Sequence, residues 1–165
     1  MTNMTKEQKH TMQITVYNPA HLPEQEQKHA IECFLYEHLE QFGDPIDQIE
    51  KALDYAMGKR QSPGGFVIVA ETADGIMGAT IVNRTGMEGY IPENILVYIA
   101  AHKNHRGEGI GKLLMNEVVR IAEGSIALHV EHDNPAMHLY RKLGFTNKYL
   151  EMRLNRKEQH GTLNA

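Results

Sequence analysis

Three glycines and two basic residues stand together in the segment Arg106-Gly107-Glu108-Gly109-Ile110-Gly111-Lys112. A predicted strand precedes this segment and a predicted helix follows it. The start of a helix carries four unpaired backbone N–H groups and about half a unit of positive charge. Glycines let such a backbone approach an anion closely, and Arg106 and Lys112 add formal positive charge. The segment therefore predicts a loop that binds a phosphate or a pyrophosphate.

The spacing of the glycines disfavours two common nucleotide-binding loops. A P-loop built on Gly111 and Lys112 requires a glycine where Arg106 stands and a Ser or Thr where Leu113 stands. A dinucleotide-binding fingerprint fails because Lys112 occupies the position of its third glycine. A phosphate ligand other than a P-loop or Rossmann nucleotide is therefore expected.

The pattern that fits is Arg-x-x-Gly-x-Gly, formed by Arg106, Gly109 and Gly111. It resembles the pyrophosphate loop of the GNAT superfamily of N-acetyltransferases. A second block, residues 133–145, resembles the family helix that carries Asn, Ala, Tyr and Gly-Phe. Asp133 occupies the usual position of the Asn, and Asn134 is shifted by one. The residues at the family's spacing are Ala136, Tyr140, Gly144 and Phe145.

Apolar periodicity predicts the element order β, α, α, β, β, β, α, β, α, β, which matches that family over residues 13–154. A tight turn at Asp74-Gly75 predicts a hairpin, and a later strand–helix–strand crossover requires a parallel pair, so both pairings mix in one sheet. Asp44 and Pro45 are predicted to begin the second helix, and Gly43 to end the first. The predicted strands are 12–17, 66–70, 76–82, 95–101, 126–130 and 150–154, and the predicted helices are 24–42, 45–57, 110–122 and 135–142.

The expected fold class is α/β, or α+β in some schemes. It is a single-domain, GNAT-like, mixed and twisted sheet of about six to seven strands with helices on both faces. The acetyltransferase domain is predicted over residues 12–155, with flexible ends at 1–11 and 156–165.

The resemblance implies acetyl-CoA as the co-substrate and direct attack by an amine on its acetyl group. It places the pantetheine arm along the strand Ile95–Ala101, which many family members bulge, and it leaves a loop at 84–92 and the two early helices to shape the acceptor site. The implied cofactor-binding residues are Ile99, Ala100, Ala101, Arg106, Gly107, Glu108, Gly109, Ile110, Gly111, Lys112 and Asn134. Asn134 has a second interpretation, as the N-cap of the helix that follows Pro135.

Tyr140 is the predicted general acid, because a phenol with an ordinary pKa near 10 stays protonated at neutral pH and can donate to a thiolate. Its place on an apolar helical stripe also allows a packing role. Glu93 is the candidate general base, beside the alternatives of a solvated loop residue or a chain of water molecules. A non-catalytic acyl-CoA sensor and a partner-binding module are the rival functions.

Composition sets the remaining expectations. The net charge is −4 and the sequence contains no basic stripe, so no nucleic-acid partner is expected. No apolar run approaches the roughly 20 residues of a membrane span and no signal peptide is visible, so a cytoplasmic location is expected. The single cysteine, Cys33, excludes an internal disulfide and is expected to be a buried small residue, with a nucleophile as the alternative. No metal site is expected from the ten histidines. The expected partner is a small-molecule or peptide amine, and a homodimer is left open as an alternative to a monomer.

Overall fold

The structure, a computed structural model, describes Glu7 and residues 11–156. The chain divides after Asn134 into two compact units, and the domain predicted over 12–155 spans both. The predicted flexible ends, 1–11 and 156–165, lie almost entirely outside the described residues. No helix in the described part of the chain is long and apolar enough to cross a bilayer.

The first unit contains a five-stranded sheet with the strand order β1–β2–β3–β4–β5. Neighbouring strands from β1 to β4 are antiparallel, whereas β4 and β5 are parallel. The predicted mixture of pairings is confirmed, but the described residues form five strands rather than the six to seven expected. The strands are β1 (Gln13–Tyr17), β2 (Gly65–Thr72), β3 (Gly75–Arg84), β4 (Asn94–Ala101) and β5 (Ile126–Leu128).

Two amphipathic helices, α1 (Gln25–Leu39) and α2 (Ile46–Ala56), cover one face of this sheet. Their apolar stripes bury residues that recur at helical spacing, against alternate residues of the strands. These side chains are nearly inaccessible to solvent and pack together in one continuous apolar cluster. Its members include Ile31, Leu35, Ile49, Leu53, Val67, Val69, Ala79 and Ile81.

Helix α3 (Ile110–Ile121) packs against β2, β3 and β4 from the opposite face, so helices on both faces are confirmed. Its first turn lies directly on Gly78 of β3. A Cβ at Gly78 would lie 2.6 Å from Ile110 Cγ2 and 2.9 Å from Leu114 Cδ1. The missing side chain therefore allows the close approach that fixes where α3 begins.

Three sequence-based expectations near α1 and α2 were wrong. Glu40, with φ 52°, is the C-cap of α1 and begins a short 3-10 turn (Glu40–Phe42), so Gly43 caps that turn and not the α-helix. Pro45 rather than Asp44 is the N-cap of α2, and no side chain caps that end. Cys33 is exposed rather than buried, because it lies on the outer side of the helix and not on its apolar stripe.

A buried ionic network joins α1 to α2. Lys28 Nζ lies 3.0 Å from Glu32 and 3.2 Å from Asp54, and the side chains of Lys28 and Glu32 are 9% and 8% exposed. Burial lowers the pKa of Lys28, but the two carboxylates raise it by more, so the net shift of the pKa is upward. The network therefore holds a charged lysine between the two helices.

The described part of the second unit contains one short helix, α4 (Met137–Lys142). The strand predicted from the alternation of Leu150, Met152 and Leu154 is absent, and these side chains are 85%, 92% and 62% exposed. Alternation indicates which side of a strand could be buried, but a strand also needs a neighbour for its backbone hydrogen bonds. The pattern alone does not supply that neighbour.

Substitution of Lys28 by Met is expected to lower the free energy of unfolding by about 3 kcal/mol, because it leaves the buried Glu32 carboxylate without its cation. Lys51→Met is the matched control, because Lys51 is half exposed and lies 3.8 Å from Asp47; its cost should be below about 1 kcal/mol. Urea unfolding of both variants measures the difference. Equal losses would contradict a stabilising role for the network.

Candidate active site

The N-terminus of α3 lies in the glycine loop, and its N-cap residue provides no side-chain cap. Gly109 is the N-cap residue and has a left-handed φ of 89°. Because the first hydrogen bond of the helix joins Leu113 N to Gly109 O (3.0 Å), the N–H groups of residues 110–112 have no acceptor within the helix. Gly107 is also left-handed, and a Cβ at either glycine would meet no atom within 4 Å. The loop therefore has the open backbone that an anion-binding loop needs.

The two basic side chains of the loop have different environments. The Arg106 guanidinium donates to the carbonyl oxygen of His38 (2.9 Å) and lies 3.3 Å from Glu40, at the end of α1. Lys112 is exposed on the first turn of α3. Arg106 thus attaches the loop to α1, and its positive charge is shared with Glu40.

Three histidine rings, here called the histidine stack, lie in series between α1 and the backbone that leads to α3, the first two tilted and the last two edge-on. The ring centroids of His38 and His102 are 4.3 Å apart, and those of His102 and His105 are 5.3 Å apart. His38 Nδ1 accepts a hydrogen bond from Lys103 N (3.0 Å), and His102 Nδ1 accepts one from Asn104 N (3.2 Å). Each bond requires an unprotonated Nδ1, so the stack is built for neutral imidazoles.

The surroundings of the stack favour that neutral state. Burial lowers the pKa of both His38 and His102, and the neighbouring imidazole lowers each pKa further. His105, at the end of the stack, lies 3.0 Å from the Glu108 carboxylate within the glycine loop. In the described part of the chain, no three His, Cys, Asp or Glu side chains are grouped as metal ligands would be.

Strand β4 is paired on both sides only at its start. It pairs with β3 throughout, whereas β5 pairs only with residues 94–96. Val97 is an extra residue between Leu96 and Tyr98, both of which have partners in β3, and it makes a β-bulge. Beyond the bulge, no described strand borders β4 on this side, which is called the open edge below.

The bulge determines which backbone groups face the open edge. His102 N donates to Met77 O (2.8 Å), and hydrogen-bonded and non-hydrogen-bonded residues alternate along an antiparallel ladder. Ala100 therefore bonds to β3, whereas Ile99 and Ala101 turn their N–H and C=O groups outward. Two of the three predicted cofactor-binding residues of this strand thus present backbone groups at the edge, and Ala100 does not.

Glu93 lies just before β4, where its carboxylate joins two loops. Oε2 accepts a hydrogen bond from Ser125 N (2.7 Å), and Oε1 accepts one from Gly89 N (3.2 Å). These backbone hydrogen bonds, the one from Ser125 foremost, lower the pKa of Glu93. Both carboxylate oxygens of the predicted base are therefore engaged in holding the 84–92 loop against the turn before β5.

Tyr140 is buried on α4 and is held by the way that helix ends. Phe145 N donates to Tyr140 O (3.0 Å) and Gly144 N donates to Arg141 O (3.1 Å), with Gly144 at a left-handed φ of 97°. This pair of bonds defines a Schellman motif, which brings the Phe145 ring to 5.8 Å from the Tyr140 ring. Burial raises the pKa of Tyr140 to about 12. The phenol therefore keeps its proton at neutral pH.

Asn134 is not the cap of α4. That helix begins at Met137 with Ala136 as its N-cap, and no side chain caps it, so the predicted Asn134-Pro135 start was wrong. Asn134 N instead donates to Glu131 O (3.0 Å) in the preceding turn. Its contact with a cofactor stays a prediction.

Tyr98 and Asp44 form a hydrogen bond that sequence reasoning missed. The Tyr98 side chain is 8% exposed, on the face covered by α1 and α2, and its hydroxyl donates to Asp44 Oδ2 at 2.5 Å. A buried tyrosine usually needs a partner for its hydroxyl, so a tyrosine in a predicted buried strand was the available signal. The sequence offered no means to identify the partner, 54 positions away.

The family model described as acetyltransferase (GNAT) domain matches residues 63–147, just over half of the chain. Several solved structures share the fold. An aminoglycoside N-acetyltransferase in complex with CoA has a TM-score of 0.62 at 16% identity, with 88% of this chain and 95% of that chain covered. The ribosomal-protein-alanine N-acetyltransferase of Brucella melitensis biovar Abortus 2308 has a TM-score of 0.57 at 15% identity, with 87% of this chain and 98% of that chain covered. An integron cassette protein from the mobile metagenome of V. cholerae has a TM-score of 0.58 at 18% identity, with 92% of this chain and 98% of that chain covered.

Together, the fold and the match over β2 to α4 define an acetyltransferase. The chain belongs to the GNAT acetyltransferase family, whose members use acetyl-CoA. The matched stretch includes the open edge of β4, the glycine loop and Tyr140. Helices α1 and α2 lie before the matched stretch.

The histidine stack predicts a loss of stability in mild acid. Because burial lowers the folded-state pKa of His38 and His102, their stabilising contribution is fully present above the ordinary histidine value of about 6.5 and is lost as pH falls through the lowered pKa. The free energy of unfolding should therefore decrease as pH falls below about 6.5, before ordinary carboxylates begin to titrate. Urea unfolding across this range measures it.

His38→Asn should flatten this decrease, because the amide oxygen can accept the hydrogen bond from Lys103 N without titrating. The exposed His132 supplies the control, as His132→Asn should leave the pH dependence unchanged. A pH profile that is the same in wild type and His38→Asn would show that the stack does not govern acid stability.

Proposed function

We propose that this protein is an N-acetyltransferase that transfers the acetyl group of acetyl-CoA to a primary amine by direct attack. The observation that carries the proposal is the uncapped start of α3, with two left-handed glycines and open space beside them. Those amides suit the pyrophosphate of coenzyme A, since the helix dipole and unpaired N–H groups favour an anion there. The family membership supplies the identity of the anion.

The open edge of β4 supports the second half of cofactor binding. The outward C=O and N–H groups of Ile99 and Ala101 can form hydrogen bonds with the amides of an extended pantetheine arm. The arm would then pair with β4 as an added strand does. The bulge at Val97 ends this edge beside β5. In this arrangement the pyrophosphate lies at one end of the edge and the thioester at the bulge.

Acetyl-CoA supplies an activated thioester, and the chain must position the amine and manage two protons. The C–N bond forms as the C–S bond breaks; the amine loses a proton and the departing thiolate gains one. Tyr140 is the proposed donor to the thiolate. Its pKa of about 12 keeps the phenol protonated, and the Schellman motif with Phe145 fixes its ring.

Removal of the amine proton does not require a particular side chain. Glu93 was the candidate, but its two carboxylate oxygens already accept backbone hydrogen bonds and its pKa is lowered. A carboxylate with a lowered pKa is a weaker base. The geometry therefore supports a structural role for Glu93 and removal of the proton by water.

Gly109→Asp is expected to weaken coenzyme A binding by about tenfold or more, because a carboxylate at the N-cap competes with the pyrophosphate and repels it. Gly109→Asn is the matched control, since both residues tolerate a left-handed φ and can cap a helix, and only Asp adds a charge. Isothermal titration calorimetry with coenzyme A measures both. If wild type bound no coenzyme A, the proposed function would fail.

Tyr140→Phe should lower kcat by about 100-fold, within the range of general acid catalysis, and leave the Kd for acetyl-CoA nearly unchanged. Tyr149→Phe, at an exposed position, is the control. Thiol release with a panel of amines gives kcat, and calorimetry gives Kd. Full turnover in Tyr140→Phe would remove the acid role, whereas acetyl-CoA binding by wild type without acetylation of any amine would favour a sensor.

A further inference from the structure

Tyr98 is the first residue after the bulge of β4, and the bulge sends its side chain to the face covered by α1 and α2. Leu96, before the bulge, pairs with Val82, whereas Tyr98 pairs with Ile81, a member of the apolar cluster under those helices. The Tyr98 ring therefore runs from the proposed position of the thioester toward the loop between α1 and α2. That loop carries Asp44.

The Asp44 carboxylate is exposed and only partly engaged. Its Oδ2 accepts the hydrogen bond from Tyr98, and it neither caps α2 nor forms an ion pair with any described residue. A carboxylate has acceptor sites on both oxygens, so Oδ1 can take a further donor. Asp47, three residues on, is different, because it lies 3.8 Å from Lys51 and accepts a hydrogen bond from Gln48.

The Tyr98 phenol is a permanent donor to this carboxylate. Burial raises the pKa of Tyr98 well above its usual value, and the hydrogen bond to Asp44 and the charges of Asp44 and Asp47 raise it further. The phenol therefore keeps its proton at neutral pH, and it orients the Asp44 carboxylate as a hydrogen-bond donor. The negative charge beside the bulge is left for a cation from outside the chain.

We propose that Asp44, positioned by Tyr98, binds a second ammonium group of the acceptor, so that the preferred substrates are amines with an additional positive charge, such as linear diamines. This inference rests on the proposed acetyltransferase function. The bound ammonium is not the reacting one, because a carboxylate contact raises the pKa of an amine and keeps it protonated, whereas the attacking amine must be neutral. Asp44 is thus a specificity-determining residue and Tyr98 a positioning residue.

Steady-state kinetics with linear diamines and with monoamines of the same chain length test this proposal. Wild type should acetylate the best diamine with a kcat/KM about tenfold or more above that of its matched monoamine. Asp44→Asn should remove most of this preference through a higher KM, with a far smaller change for the monoamine. Asp47→Asn is the matched control and should keep the preference.

Tyr98→Phe should lose part of the preference, about threefold to tenfold, again in KM, because Asp44 keeps its charge but loses its orientation. Circular dichroism of each variant confirms that it is folded. The proposal is overturned if no diamine is acetylated faster than its monoamine, or if Asp44→Asn lowers kcat equally for both. Failure of the proposed function is distinct, since wild type would then bind no coenzyme A and acetylate no amine.

Discussion

The unequal pairing of β4 is the constraint on which the rest of the candidate site depends. Its partner β5 is only three residues long and leaves the strand at Leu96, and the extra residue Val97 shifts the ladder with β3 at that same point. One shift has two effects. It turns the backbone groups of Ile99 and Ala101 outward, and it moves the next buried side chain, Tyr98, to the face under α1 and α2. An open hydrogen-bonding edge and a side chain directed at the neighbouring loop therefore have the same origin.

Backbone geometry, more than charged side chains, forms the proposed cofactor-binding surface. Arg106, Glu108 and Glu93 looked like binding or catalytic groups in the sequence, yet each one has a partner within the protein. Their contacts hold the glycine loop against α1 and the 84–92 loop against the turn before β5. A loop held at fixed points in this way keeps its N–H groups oriented before a ligand arrives, which reduces the entropy lost on binding.

The sequence predicted the features that depend on local rules. Helical spacing identified α1, α2 and α3, the turn at Asp74-Gly75 identified the hairpin, and the glycine pattern identified the open start of α3. Features that depend on contacts between distant residues were missed. The predicted strand at 150–154 is absent because no described segment pairs with it. The Tyr98–Asp44 hydrogen bond was missed because Asp44 also had the sequence features of a helix cap. The bulge at Val97 leaves no mark in an unbroken apolar run.

The end of α1 connects the two halves of the site in the first unit. His38 accepts a hydrogen bond from Lys103 through its ring and from Arg106 through its carbonyl, so it supports the backbone that enters α3. A few residues later the same segment carries Asp44, which Tyr98 fixes relative to β4. Because the supports of the glycine loop and of the Asp44 carboxylate follow one another along the chain, a movement of this segment would displace both. The buried Lys28 network, which fixes α1 against α2, therefore contributes to the geometry of the site as well as to stability.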